Sequence, residues 1–344
     1  MIAGVASMPF PKIYIDTMLL NWGDRLFHDP LRHVGAPRLS RVQIGSQAAR
    51  VREQLARTLK HTPEVMVKIT NRAASSQGMG AVRRHLRYIS RNGRVELEDQ
   101  DGQTIAGAAA LQDLADAWQF GGWGIPETST RREVFNILLS MPPGTARRAV
   151  RDAARDFAAL EFGDGRDYVF AAHDDEAHPH VHLCVQVRGL DGRRLNPGKR
   201  DLQRWRERFA QQLQAHGVEA NATSRRTRGA TRRYPKQAVV YMLDRGETPR
   251  YWRAIATDTQ RRAGWEAHYG VFAAWREMAL AMAASREADD RRLAVEIVDF
   301  VRNMPVQQDG PLVAPMAPAR RERSDRPLPD RGSQPNAGGP AVCR

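Results

Sequence analysis

The sequence predicts an α+β fold, in which helices cover an antiparallel sheet and are followed by a helical C-terminal region and a disordered tail. Residues 65–70, VMVKIT, and 180–187, HVHLCVQV, alternate side chains with period two, as half-buried strands do. Residues 167–173 form another strand-like run before a short polar loop, which favours a hairpin. Residues 199–217 place four large apolar side chains on one helical face and end at a glycine, as a helix that covers a sheet does.

Composition changes along the chain divide it into four segments. Residues 1–62 carry scattered arginines and few periodic apolar runs, so we expect a basic, loosely packed N-terminal arm. Residues 63–235 hold the predicted strands and helices of the central domain. Residues 236–304 have a helical composition, and residues 305–344, rich in Pro, Arg, Asp and Gly, predict a disordered tail.

The charge balance indicates a large anionic partner. The chain of 344 residues has a formal net charge of +14, for which nucleic acid is the best match. No apolar run is long enough to span a bilayer and no basic helix has a wide apolar face, so we expect no membrane insertion. The two cysteines exclude a disulfide framework, and the first residues lack a secretion signal, which together favour the cytoplasm.

The histidine-rich stretch HDDEAHPHVH, residues 173–182, is the most informative part of the sequence. Because side chains alternate across a strand, His180 and His182 point to the same face of the sheet. A hairpin between residues 167–173 and 180–187 would place His173 directly across from His180. The pattern therefore predicts a metal site with three nitrogen ligands on one side and open positions on the other.

Three neutral imidazoles leave the full positive charge of an ion available for a phosphate oxygen, which favours phosphodiester cleavage. Asp174 and Asp175 would either orient an imidazole or bind the ion themselves. His178 lies in the loop and is not assigned as a ligand. A His-x-His pair also begins many oxygenase sites in cupin barrels, so the pair alone does not identify the reaction.

Tyr88 lies on a predicted helix over residues 79–91, away from its apolar stripe and on the same face as Arg84 and Arg91. We expect it to be exposed. Two guanidinium groups beside a phenol favour the phenolate and also bind the phosphate under attack, as a tyrosine nucleophile requires. Periodicity alone favours an ordinary amphipathic surface tyrosine.

Three motifs in this order resemble the relaxase and mobilisation nuclease family of conjugative plasmids, especially the T-DNA border endonuclease type. They are HLRYISRNGRVELE around Tyr88, SMPPGT at 140–145 and HDDEAHPHVH, and the similarity runs from about residue 65 to 235. The family belongs to the HUH endonucleases, whose name describes the His180-Val181-His182 motif.

The resemblance implies that Tyr88 attacks a DNA phosphate and becomes linked to the 5′ end. His173, His180 and His182 would hold Mg²⁺ or Mn²⁺, and Asp175 would assist the metal site or the proton transfer. The implied fold is an antiparallel sheet with a helix-covered face, related to the palm-like fold of replication initiators. The chain departs from the family in its long stretch before residue 65, because the nucleophile usually lies near the start.

An arginine-dense loop, SRRTRGATRR, follows the predicted central domain. Its arginines are expected to contact DNA phosphates, which adds affinity that falls with salt; these residues are Arg225, Arg226, Arg228, Arg232 and Arg233. The expected substrate is single-stranded or supercoiled DNA at an origin of transfer. The implied partners are relaxosome accessory proteins and a secretion coupling protein, since a relaxase is exported with its strand from a bacterial cytoplasm.

Three other functions compete with relaxase activity. Replication initiators and transposases of the HUH type share the chemistry, but in replication initiators the tyrosine follows the histidine motif. A catalytically inactive DNA-binding accessory protein would keep the basic surface without needing Tyr88 and three histidines. A metal oxygenase would need a small-molecule pocket and gain nothing from the positive charge.

Overall fold

One six-stranded sheet, with the strand order β1-β4-β6-β5-β2-β3, forms the centre of the fold. All the pairings within this sheet are antiparallel, as predicted. The structure is a computed structural model that describes residues 10–27, 39–71, 78–230, 242–243, 245–248 and 257–307. The strands are β1 (Met66–Ile69), β2 (Leu97–Asp99), β3 (Thr104–Ile105), β4 (Val134–Ser140), β5 (Tyr168–His173) and β6 (His180–Gln186).

Eight helices of at least eleven residues are present among the described residues. The first six are α1 (Lys12–Phe27), α2 (Arg41–Leu59), α3 (Met79–Ile89), α4 (Gly107–Phe120), α5 (Arg147–Phe162) and α6 (Lys199–Ala215). Two more, α7 (Asp258–Ala283) and α8 (Ala288–Arg302), confirm the expected C-terminal helices. None of the described helices has the length and apolar character needed to cross a membrane.

Helices cover both faces of the sheet, which confirms the predicted antiparallel sheet covered by helices. Helices α5 and α6 pack on one face, where Val181, Leu183 and Val185 of β6 are buried. Helices α3 and α4 cover the opposite face, where Cys184 of β6 is fully buried. The predicted alternation along β6 is therefore confirmed, but its polar-looking face is also buried over part of its length.

We expected residues 1–62 to be a loosely packed arm, but the described part of this segment is well packed. Helices α1 and α2 pack against α7 and α8 in a second apolar core, in which Ile15, Leu55 and Trp275 are all fully buried. The sequences of α1 and α2 have no strong apolar stripe, and the surface that they bury against lies about 200 residues or more later in the chain. The boundaries of the four predicted segments remain predictions.

A buried ionic network links α1 and α2 to α8 in the second core. The guanidinium of Arg52 on α2 donates to Asp16 on α1 at 2.7 Å and to both carboxylate oxygens of Asp290 on α8 at 2.7 and 3.0 Å. Both carboxylates are almost completely buried. Removing the cation would leave two buried negative charges without compensation.

We predict that Arg52→Met lowers the free energy of unfolding by about 3 kcal/mol, because two buried carboxylates lose their partner. Arg50→Met is the matched control, since Arg50 lies on the same helix and is exposed. It should change stability by less than about 0.5 kcal/mol. Urea unfolding measures both variants, and equal midpoints would show that the network contributes nothing.

The same network predicts a pH dependence of stability. Burial alone would raise the pKa of Asp290, but hydrogen bonds from Arg52 and Ser285 hold this pKa below its ordinary value. The carboxylate therefore stabilises the fold above its unfolded pKa of about 3.9, and this contribution is lost as the pH falls through the folded pKa.

Asp290→Asn should accordingly lower stability by a constant amount between about pH 5 and 8, and the difference from the unmodified chain should shrink below about pH 4. Chemical unfolding at each pH measures this difference. Asp289→Asn is the control, because the Asp289 side chain is 82% exposed. A penalty for Asp290→Asn that stays constant down to about pH 2 would contradict the prediction.

Candidate metal and tyrosine site

The three histidines predicted as ligands lie together at one end of the sheet. The β5–β6 register pairs His173 with His180 and Ala171 with His182, so the predicted hairpin is confirmed. One ring nitrogen from each imidazole lies within 4.8 Å of the other two. The ring centroids are separated by 5.2 Å for His173 and His180, and by 4.6 Å for His173 and His182.

Hydrogen bonds to backbone carbonyls orient two of the imidazoles. His173 Nε2 lies 2.7 Å from the carbonyl oxygen of Ile89, and His180 Nδ1 lies 3.1 Å from that of His178. A ring nitrogen facing a carbonyl must donate its hydrogen, which leaves the other nitrogen as the acceptor. His173 Nδ1 and His180 Nε2 are therefore the nitrogens available to a cation, and backbone contacts of this kind are common behind metal ligands.

The surroundings favour the neutral form of His173 and His182, which is the form that binds metals. Burial, followed by the nearby His173 and His180, lowers the pKa of His182 to about 3. Burial also lowers the pKa of His173. The positive charge of the neighbouring Arg91 guanidinium acts in the same direction. Three converging neutral imidazoles are a suitable donor set for a divalent ion, so the residues present fit the metal that the family resemblance implies.

Tyr88 meets the histidine cluster, as a nucleophile at this site would have to. Helix α3 buries Val82, Leu86 and Ile89 against the sheet, while Tyr88 on its other face is 53% exposed. The rings of Tyr88 and His182 form an edge-to-face contact, with 5.7 Å between their centroids. The predicted exposure of Tyr88 is therefore found, and its ring lies against a candidate ligand.

Arg91 connects the tyrosine to the acidic loop. Its guanidinium lies 5.3 Å from the centroid of the Tyr88 ring and 3.4 Å from His173 Nδ1, and it forms an ion pair with Asp175. Arg91 and Asn92 both adopt a left-handed backbone conformation, with φ of 51° and 59°, directly after α3. Non-glycine residues rarely adopt this conformation, which here ends the helix beside the histidines. Asp175 lies 4.0 Å from His173 Nδ1, and its auxiliary role stays a prediction.

Arg147, at the start of α5, holds the loop between β5 and β6 and was not identified from the sequence. It donates to the carbonyl oxygens of His173 and Glu176 and lies 3.3 Å from a carboxylate oxygen of Asp174. Asp174 is thus engaged with Arg147 rather than with an imidazole. No local pattern could have revealed this contact, because Arg147 is 26 residues from His173 and its partners are mostly backbone atoms.

His85 is a second residue that the sequence analysis missed. Its ring stacks against Tyr88 with 6.2 Å between centroids, and its Nε2 is buried without a hydrogen-bond partner among the described residues. Burial lowers the pKa of His85 to about 4, so the imidazole is neutral. The spacing of three residues from Tyr88 could have indicated that they share a helix face.

Besides Arg91, the residues predicted to contact DNA fall into three groups. Arg84 is exposed on α3, and Arg225 and Arg226 are exposed in the loop after α6. Arg228 is half-buried and lies 3.4 Å from a carboxylate oxygen of Glu64, so its guanidinium has a structural partner. Arg232 and Arg233 lie outside the described residues.

We predict that the chain binds one Mn²⁺ ion and that His182→Ala weakens this binding by at least 100-fold, because one of three ligands is removed. Isothermal titration calorimetry measures both affinities. His216→Ala is the control, since His216 pairs with Asp156 away from the triad. Equal Mn²⁺ affinities for the His182 variant and the unmodified chain would exclude His182 as a ligand.

Comparison with known proteins identifies the domain that contains the triad. Residues 96–218 match the family model described as "Relaxase: MobA/VirD2-like, nuclease domain". The T-DNA border endonuclease VirD2 of Rhizobium radiobacter is 30% identical over 166 residues, which cover 43% of this chain and 39% of that protein. VirD2 of Agrobacterium fabrum is 30% identical over 178 residues, which cover 46% and 40%. The chain thus spans about two fifths of the length of these curated relatives.

A solved structure described as "Molecular Basis of Vancomycin Resistance Transfer in Staphylococcus aureus" matches 47% of this chain and 99% of its own, with 12% identity and a TM-score of 0.31. Tyr88 lies before the residues that match the family model, whereas all three histidines lie within them. The family resemblance drawn from the motifs is therefore confirmed: residues 96–218 form a MobA/VirD2-like relaxase nuclease domain.

Proposed function

We propose that this chain is a site- and strand-specific DNA relaxase, which nicks an origin of transfer by tyrosine transesterification and later rejoins the strand. The nucleophile is Tyr88, and the product is a 5′-phosphotyrosine adduct. Its function is to initiate conjugative DNA transfer. The proposal extends the relaxase nuclease family assignment to a mechanism and a substrate.

The contact between Tyr88 and His182 carries this proposal. The two residues are 94 positions apart, and Tyr88 precedes the region that matches the family model. Even so, α3 brings the exposed phenol beside the imidazole triad, with ring centroids 5.7 Å apart. A nucleophile must lie beside the group that activates its phosphate, and Tyr88 meets this requirement.

The cation site would be formed by His173, His180 and His182. A bound Mg²⁺ or Mn²⁺ ion supplies Lewis-acid polarisation of a non-bridging oxygen of the scissile phosphate. Arg91 contacts both Tyr88 and Asp175, and these contacts support a role in binding the same phosphate. Asp175 would keep Arg91 oriented and assist proton transfer at the site.

The reaction exchanges one phosphodiester for another. The Tyr88 oxygen forms a bond to phosphorus and the bond from phosphorus to the 3′ oxygen breaks. The phenol loses one proton, and the departing 3′ oxygen gains one to become a hydroxyl. Because the ester bond is retained in the phosphotyrosine, rejoining needs no external energy source. A 3′ hydroxyl then attacks the adduct and releases Tyr88.

The proposed substrate is single-stranded or locally melted DNA, including supercoiled DNA at an origin of transfer. The net charge of +14 and the exposed Arg225 and Arg226 support binding to the phosphate backbone. Tyr88 precedes the histidine motif, which favours a relaxase over an HUH replication initiator. Relaxosome accessory proteins and a secretion coupling protein are the proposed partners in transfer.

The proposed function predicts a covalent complex with DNA. The purified chain, mixed with Mn²⁺ and a labelled oligonucleotide that spans the transfer origin of its own genetic element, should form a denaturant-resistant adduct. Tyr88→Phe should abolish the adduct because the nucleophilic oxygen is removed, and a chelator should abolish it because the phosphate is no longer polarised. Denaturing gel electrophoresis measures the adduct.

Tyr269→Phe is the matched control, because Tyr269 is 67% exposed on α7 and lies outside the candidate site. This variant should form the adduct normally. Cleavage without an adduct would overturn the tyrosine mechanism and leave a hydrolytic nuclease. Binding of the origin without cleavage would instead support the inactive accessory protein.

A further inference from the structure

A groove between α3 and α4 lies next to the candidate site and has no role in the chemistry described above. Its volume is about 300 Å³, and residues from both helices line it. Leu86, Leu111 and Ala115 form a largely buried apolar floor, while Arg87 and Gln112 are exposed at its edges. An apolar floor with polar edges suits a flat, partly polar ring better than it suits an extended apolar side chain.

The groove is continuous with the surface around Tyr88. An adjoining hollow is lined by Arg84, Tyr88 and Arg91, and it shares Arg87 and Asn92 with the groove. Each helical residue advances by about 100° around the helix axis. Arg84 and Arg87 therefore occupy the sector of α3 between Tyr88 and the groove.

The charges along this path complement a phosphate backbone. Arg84 and Arg87 are both exposed, and their side chains form no ion pair or hydrogen bond within the part of the chain that the structure describes. The neighbouring Arg83, by contrast, forms an ion pair with Glu127 at 2.9 Å. Two unneutralised guanidinium groups beside the proposed nucleophile would attract the phosphates that flank the scissile bond.

The start of α4 also borders the groove. No side chain caps α4, and its residue Ala108 lines the groove close to Arg87 and Asn92. The N–H groups in the first turn of an uncapped helix can bind an anion. Gly93 and Gly107 bring the two helices together here, because a side chain at Gly93 would lie only 2.7 Å from the backbone of Gly107.

We propose that the α3–α4 groove binds the nucleotides adjacent to the scissile phosphate, with Arg84 and Arg87 on their phosphates and one base on the apolar floor. The proposal rests on the proposed relaxase function and assigns a surface to its single-stranded substrate. Phe120, the last residue of α4, is 77% exposed and lies five residues beyond Ala115, which lines the groove. It supplies a stacking surface for a further base.

The test is binding of a fluorescein-labelled (dT)12 oligonucleotide in chelator, measured by anisotropy over a range of salt concentrations. Under these conditions affinity does not depend on cleavage. Arg84→Met/Arg87→Met should weaken binding roughly tenfold and reduce the slope of log affinity against log salt by about 1.4, or about 0.7 for each phosphate contact. Phe120→Ala should weaken binding roughly fivefold without changing the slope, because stacking is not ionic.

The matched control is Arg148→Met/Arg151→Met on α5, which removes the same charge at the same spacing, on the opposite face of the sheet. This pair should leave the affinity within about twofold. Equal losses of affinity for the two double variants would mean that only the overall charge matters. No loss of affinity for either would mean that the groove does not bind DNA and would favour a protein partner. Both results overturn the proposal. Groove-dependent (dT)12 binding, together with no Tyr88 adduct on the origin oligonucleotide in Mn²⁺, would overturn the tyrosine mechanism and leave the groove assignment standing.

Discussion

The register between β5 and β6 is the constraint on which the candidate site depends. It sets His173 opposite His180 and leaves His182 two residues further along the same face. A slip of one residue would turn His180 and His182 toward α5 and α6. The alternating valines and leucine of β6, buried under those helices, prevent such a slip. The metal site is thus held in register by apolar packing on the other side of the strand.

The second constraint is the way α3 ends. Its apolar stripe fixes the helix on the sheet, and the left-handed turn at Arg91 and Asn92 stops it beside His173. The carbonyl of Ile89, in the last turn, then accepts a hydrogen bond from His173. One helix terminus therefore positions the tyrosine, a guanidinium and one imidazole, so that a change in any one of them is expected to affect the other two.

The helical core formed by α1, α2, α7 and α8 supports the domain rather than the chemistry. Thr227, in the arginine-dense loop, donates to the carbonyl of Leu26 at 2.6 Å, and Trp275 of α7 donates to the carbonyl of Thr227 at 2.9 Å. Glu64, just before β1, lies 3.4 Å from Arg228 of the same loop. These contacts anchor the loop at its buried residues and leave Arg225 and Arg226 at the surface, where a phosphate backbone can reach them.

The sequence by itself determined the features that local periodicity encodes. Alternation along residues 180–187 identified the strand and the shared face of His180 and His182, and the helical stripe around Tyr88 predicted its exposure. It could not determine which surfaces bury α1 and α2, because their partners are more than 200 residues away and a helix of mixed composition shows no strong stripe. Nor could it reveal that Arg147 holds the loop of the histidine motif, or that Arg228 is paired with Glu64. Contacts of this kind depend on how distant segments pack, and only the tertiary structure decides them, because a side chain's partner is set by proximity in space rather than by spacing along the chain.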